Sequence, residues 1–128
     1  MKLKKSGSKL PWLVKQPQQP RHNTDTVFYN SAAWRRTSGA IRIETPLCPV
    51  CMAMDRHSPT RVTDHLIPIK YGGARFNPIN LMALCSECHN NKSAREQRSP
   101  LLAYVGTFGE YVPSDDRATI IEKILNKI

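Results

Sequence analysis

CPVC at 48–51, VTDHLIPIKYGG at 62–73 and NLMALCSECHNNK at 80–92 decide the fold of this chain. Four cysteines stand in two Cys-x-x-Cys pairs, Cys48/Cys51 and Cys85/Cys88, with 33 residues between Cys51 and Cys85. A short Cys-x-x-Cys turn presents two thiolates at little geometric cost, and two such turns complete a tetrahedral set that favours Zn²⁺. The gap exceeds zinc-ribbon spacing, so something the size of a hairpin sits between the pairs. That insert carries Asp64-His65, and the second pair runs straight into His89.

The rest of the composition agrees with a metal-stapled domain. At 128 residues with 40% hydrophobic and 7% aromatic residues, one small domain with extensions is expected, and domains of that size often need a staple. Two disulfides are the other use of four cysteines. Against them, residues 1–16 are basic and broken by Pro11, with no apolar signal-peptide core. Nothing approaches the roughly 18 consecutive apolar residues of a membrane span. The expectation is a reduced, cytoplasmic, zinc-binding protein without a membrane partner.

The formal charge of +9 falls to about +7 when four thiolates hold one zinc (+2 against −4). It remains basic enough to suit a polyanion. Residues 1–36 hold eight Lys/Arg against Asp25 alone, so the positive charge is concentrated in the N-terminal part of the chain. Residues 1–26 read as a flexible basic arm, 27–99 as the domain, and 100–128 as an extension ending in an amphipathic helix.

Within 27–43 a short helix is expected, capped by Asn30 or Ser31 and anchored by Phe28, Trp34 and Ile41. Residues 61–69 alternate in part (His65, Ile67, Ile69) as a short strand, with 80–84 as its return. Gly72-Gly73 marks the loop between them. Ser86 is the expected N-cap of a helix running to about Gln97, closed by Ser99-Pro100. Cys88 and His89 then lie about 100° apart in its first turn, so Cys88 can face the zinc and His89 the hairpin. Asp64 and His65, adjacent on a strand, point to opposite faces unless the strand bends. Ser114, Asp115 and Asp116 suit another helix start. Ala118, Ile121, Ile124, Leu125 and Ile128 form its apolar face, expected to pack on its own domain.

These motifs together, with Phe28-Tyr29-Asn30-Ser31 and Trp34-Arg35 upstream, resemble the HNH endonuclease family, in the form of small phage-type members with a four-cysteine zinc site. The resemblance covers roughly residues 28–96. It implies an α+β fold, a zinc-stapled ββα-metal domain with flanking helices. It further implies that His65 is the general base, that Asp64 and His89 bind the hydrolytic ion, and that Asn80 ties the loop and orients His65. Asn77 competes for that place, but Asn80 has the Asn-Leu context and lies nine residues before His89. Some members carry a second helical histidine where this chain has Ser93. Two protein ligands leave an open sphere that suits Mg²⁺ or Mn²⁺. Metal-dependent nicking of DNA is implied, leaving 5′-phosphate and 3′-hydroxyl ends.

Lys92, Arg75 and Arg95, with Arg98 behind them, are the candidate phosphate contacts. His22 and His57 match no motif. A phage packaging protein and a second copy of the chain are further candidate partners. The competing class is a noncatalytic zinc module that binds DNA or a packaging partner, which would not require Asp64, His65 and His89.

Overall fold

Residues 26–126 are described by the computed structural model, in which the chain divides into two units, Met1–Trp34 and Arg35–Ile128. The expected basic arm therefore lies outside the described residues except for Thr26. In the first unit, Phe28, Tyr29 and Trp34 gather into an aromatic cluster with ring centroids 5.0–5.7 Å apart. Residues 26–29 are helical, and the chain turns at Asn30-Ser31 before helix α1 (Ala32–Glu44). Of the two expected caps it is Ser31 that serves: its hydroxyl accepts from Trp34 N at 3.1 Å and donates to Phe28 O at 2.7 Å.

The second unit is built around the cysteines. Cys48 precedes a single helical turn, α2 (Pro49–Met52), with proline at the position where its missing N–H costs nothing. Strand β1 (Val62–His65) pairs antiparallel with β2 (Leu81–Leu84), His65 opposite Leu81 and Val62 opposite Leu84. α1 is fastened to β1 where the Thr63 hydroxyl donates to Ser38 O at 2.8 Å. Ile41 is only half-buried.

β1 is shorter than the expected 61–69 run. Pro68 has no N–H for a ladder, and the Ile67 amide is taken by a side chain, that of Asn80. The backbone instead makes a 3₁₀ turn, Ile69–Tyr71, closed by Gly72 in the left-handed region (φ 93°). A second 3₁₀ turn, Pro78–Asn80, leads into β2.

Helix α3 (Ser86–Arg95) follows, and its N-cap is Cys85 rather than Ser86: the sulfur accepts from Cys88 N at 3.4 Å. The knuckle thus caps its own helix. Past α3, a two-strand ribbon that sequence did not suggest, β3 (Tyr104–Val105) with β4 (Val112–Pro113), precedes helix α4 (Arg117–Leu125). Asp116, not Ser114, caps α4 by accepting from Thr119 N.

The core holds the four cysteines with Val50, Leu66, Ile67, Met82, Leu84, Leu102, Ile120 and Ile124. α4 therefore packs on its own unit, as expected, but its buried face centres on Ile120 and Ile124. Ala118 is exposed, Ile121 and Leu125 are partly buried, and Ile128 lies outside the described residues. No helix among the described residues is long and apolar enough to cross a membrane.

Candidate active site

The four sulfurs lie within 4.8 Å of one another, all buried. Cys51 Sγ is 3.6 Å from Cys85 Sγ and 3.7 Å from Cys88 Sγ. A tetrahedron of Zn–S bonds has edges of about 3.8 Å, which these two separations match, so the cluster suits Zn²⁺. Burial pushes the Cys85 and Cys88 thiols up. Burial acts in the same direction on Cys51, but hydrogen bonds from Ser58, Arg56 and the neighbouring cysteines outweigh it and bring the thiol down to about 7. Crowded thiols of this kind shed their protons together only around a cation, which is how such a centre couples metal binding to folding.

Further along α3, β1 and the helix bring a second group of residues together. Asp64 faces the helix. Its Oδ1 is 3.5 Å from His89 Nε2 and its Oδ2 is 2.6 Å from Lys92 Nζ. His65, on the opposite pleat, is buried, and its Nε2 lies 3.0 Å from Arg75 O. A carbonyl oxygen only accepts, so Nε2 carries the proton and the neutral ring has its lone pair on Nδ1. Burial pushes the His65 pKa down, and the charges of Lys92 and Arg75 add to this; the Arg75 carbonyl and Asp64 oppose it. The imidazole is thus held neutral.

Asn80 ties the intervening loop together. Its side chain is fully buried; Oδ1 accepts from Ile67 N at 2.7 Å, and Nδ2 donates to Ala74 O at 2.8 Å and Ile67 O at 3.1 Å. Gly73 packs so closely beneath it that a Cβ there would sit 1.7 Å from Ile67 O. Asn77 caps the 3₁₀ turn through Ile79 N and takes no part in this network.

Asp64 and His89 fit a divalent ion. Two ligands at adjacent corners of an octahedron, each about 2.1 Å from a hard cation, stand about 3.0 Å apart, so the 3.5 Å separation needs only a small closure. Their side chains are 14% and 32% exposed, which leaves room for water and a phosphate oxygen.

The family model for HNH endonuclease matches residues 48–95. The crystal structure of the HNH endonuclease of the deep-sea thermophilic bacteriophage GVE2, with manganese ion, is 30% identical in sequence. It superposes with a TM-score of 0.53, covering 61% of this chain and 87% of that one. This chain belongs to the HNH endonuclease family. No curated protein matches it. The HNH assignment makes the chain a metal-dependent nuclease, and its four-cysteine cluster is the staple of that fold.

Two residues that sequence offered to phosphate do other work in this HNH domain. Lys92 is 0% exposed. Besides Asp64, its ammonium binds Glu96 Oε2 at 2.6 Å and His65 O at 3.3 Å, so it cannot reach a surface phosphate. The Arg95 guanidinium donates to the carbonyls of Lys123, Ile124 and Asn126 and closes the C-terminus of α4. Arg75, Arg98 and His57 are exposed, and His22 lies outside the described residues.

Sequence reasoning missed two residues. Glu96 is buried behind Lys92, and burial pushes its carboxyl pKa up while the ammonium opposes. Its i,i+4 spacing from Lys92 was the available signal. Arg117 reaches from α4 to Pro78 O and Leu81 O at 3.0 and 2.9 Å, holding the entry of β2; nothing local in the sequence announces it.

Proposed function

We propose that this HNH endonuclease nicks DNA, with His65 as general base and one divalent ion, Mg²⁺ or Mn²⁺, held by Asp64 Oδ1 and His89 Nε2. The observation that carries this reading is the open carboxylate–imidazole pair at 3.5 Å, set beside an imidazole whose lone pair is directed to Nδ1 by the Arg75 carbonyl. The manganese ion of the GVE2 enzyme adds support for a divalent ion here.

His65 takes a proton from the attacking water at Nδ1, while Nε2–H stays on Arg75 O and fixes the ring. Burial keeps that ring neutral and therefore competent as a base at working pH. Asn80 acts through the loop that presents the Arg75 carbonyl, so it is a positioning residue. A bound divalent ion supplies charge stabilisation at the scissile phosphate and the departing 3′ oxygen. General-base catalysis contributes about 10²–10⁴-fold, so positioning and electrostatics must supply the larger share.

One such site cuts one strand. A duplex break calls for a homodimer, repeated nicking or a partner such as a phage packaging protein. The phage source of the related structure favours action in the cytoplasm of a bacterial host. The basic N-terminal arm and Arg75 are the remaining candidates for phosphate contact, with affinity that falls with salt.

A plasmid nicking assay with added Mg²⁺ or Mn²⁺ tests the reading. The His65→Ala variant is expected to keep its zinc and its DNA affinity and to lose nicking by at least 10²-fold. Unchanged nicking by that variant would overturn the mechanism.

A further inference from the structure

Lys92 stands three residues after His89 and four before Glu96, on one face of α3. It is wholly buried, and every contact of its ammonium is accounted for: Asp64 Oδ2 at 2.6 Å, Glu96 Oε2 at 2.6 Å and His65 O at 3.3 Å. A buried ion cluster is often a neutral or costly element of a fold, replaceable by apolar residues of similar volume. What sets this one apart is its unequal treatment of the two Asp64 oxygens. Oδ2 is buried and makes an ion pair, without an aligned hydrogen bond, to the ammonium. Oδ1 is turned to His89 Nε2.

We propose that Lys92 is a positioning residue of the metal site: backed by Glu96, it holds Asp64 by Oδ2 and so limits the carboxylate to ligation through Oδ1 alone. The inference rests on the reading of Asp64 and His89 as ligands of the hydrolytic ion. Its consequence is ion selectivity. Mg²⁺ demands near-octahedral geometry with one oxygen per carboxylate, and Mn²⁺ is served by the same arrangement, whereas Ca²⁺ takes six to eight oxygens and readily uses both oxygens of one carboxylate. An Oδ2 held against an ammonium is denied to Ca²⁺. The clamp therefore weakens Ca²⁺ relative to Mg²⁺ and Mn²⁺, leaving it monodentate ligation only. Glu96 has a separate duty: from the next turn it fixes the ammonium and offsets its charge, so that Lys92 does not repel the incoming cation unopposed.

The test is a calorimetric titration of the zinc-loaded full-length chain with Mn²⁺ and with Ca²⁺, in the native protein, Lys92→Met and Asp64→Ala. Lys92→Met is expected to lower the ratio Kd(Ca²⁺)/Kd(Mn²⁺) by tenfold; a fall of at least threefold supports the clamp and a smaller one overturns it. If Lys92→Met loses its zinc or its cooperative unfolding, the ratio is read in Lys92→Met/Glu96→Leu, which removes the stranded carboxylate as well. Infrared difference spectra of the native chain with Ca²⁺ need no Lys92 variant. A bidentate carboxylate band that disappears in Asp64→Ala overturns the proposal, and a monodentate one supports it. The Asp64→Ala titration separates the two readings: Mn²⁺ affinity unchanged there refutes the metal site itself, whereas affinity lost there with an unmoved ratio in Lys92→Met refutes only the clamp.

Discussion

Replacing Asn80 by alanine strips three hydrogen bonds from a side chain with no solvent exposure. The Ile67 N–H loses its acceptor at 2.7 Å, and the carbonyls of Ala74 and Ile67 lose donors at 2.8 and 3.1 Å. A stranded buried N–H costs about 1–3 kcal/mol, and under-satisfied carbonyls cost less because each has a second lone pair. The sum is about 3–4 kcal/mol, a large part of the roughly 5–15 kcal/mol that stabilises a small domain. Urea unfolding of the zinc-loaded chain at fixed free zinc measures it as a fall in midpoint of about 1.5–2 M, for a slope near 2 kcal/mol per molar. Asn80→Asp is the matched control: it keeps the Oδ1 acceptor but turns a carboxylate oxygen on two carbonyls, so it should be at least as destabilising. If Asn80→Ala shifts stability by less than 1 kcal/mol, the loop is held by something other than this side chain. If Asn80→Asp proves milder than alanine, the donor bonds from Nδ2 are not what matters.

Four further outcomes follow from the same geometry. Gly73→Ala forces a Cβ against the Ile67 carbonyl at 1.7 Å, so thermal unfolding should show a loss of about 3 kcal/mol or more, or no folded protein. Cys85→Ser removes both a zinc ligand and the sulfur that caps α3; metal analysis should find less than one zinc per chain, and a zinc-free but cooperatively folded variant would refute the staple. Arg95→Ala should cost about 1–2 kcal/mol of stability through the carbonyls it leaves at the end of α4. Its DNA affinity should keep the same dependence on log[salt], whereas a slope reduced by about 0.9 would restore the phosphate contact. Brief treatment with a chelator should abolish nicking while the buried four-cysteine centre keeps its zinc, with activity restored by Mn²⁺ alone; loss of zinc in step with activity would mean that the two centres are not separate.

What sequence disclosed was what depends on local spacing. Both cysteine pairs, the hairpin between them and the helix after Cys85 follow from residues a turn or a strand apart. Context favours Asn80 over Asn77, and the Asn80 side chain bonds Ile67 and Ala74 across the loop. The misreadings arise where a distant part of the chain decides. Ser86 is the better cap by residue type, yet the Cys85 sulfur, held in place by the cluster, accepts the Cys88 amide first. Ile120 and Ile121 are neighbours, and only the position of the core in front of α4 selects Ile120 for burial. The β3–β4 ribbon has two residues per strand, too few for a period-two pattern. It is nonetheless what backs the glycine loop, through Ala74 N on Tyr111 O and Tyr111 N on Gly72 O.

Lys92 is the sharpest case, because its sequence setting, Asn-Asn-Lys-Ser, is that of a solvated helix face. An ammonium buried whole is met by fixed anions, and here those come from two places: Glu96 one turn on, and Asp64 on the first strand of the hairpin. Neither alone would suffice. Glu96 without Asp64 leaves the buried ammonium a single anion, and Asp64 without Glu96 leaves it to balance the whole charge of Lys92. The three together place α3 at a fixed height against β1, and the same helix carries Cys88 into the sulfur cluster and His89 towards Asp64. A shift of α3 by one residue would rotate it by about 100° and separate all of these contacts at once. The four-cysteine centre and the Asp64–His89 pair are therefore registered to each other by the buried lysine as much as by the cysteines, and the polar run that looked like helix surface is where that register is set.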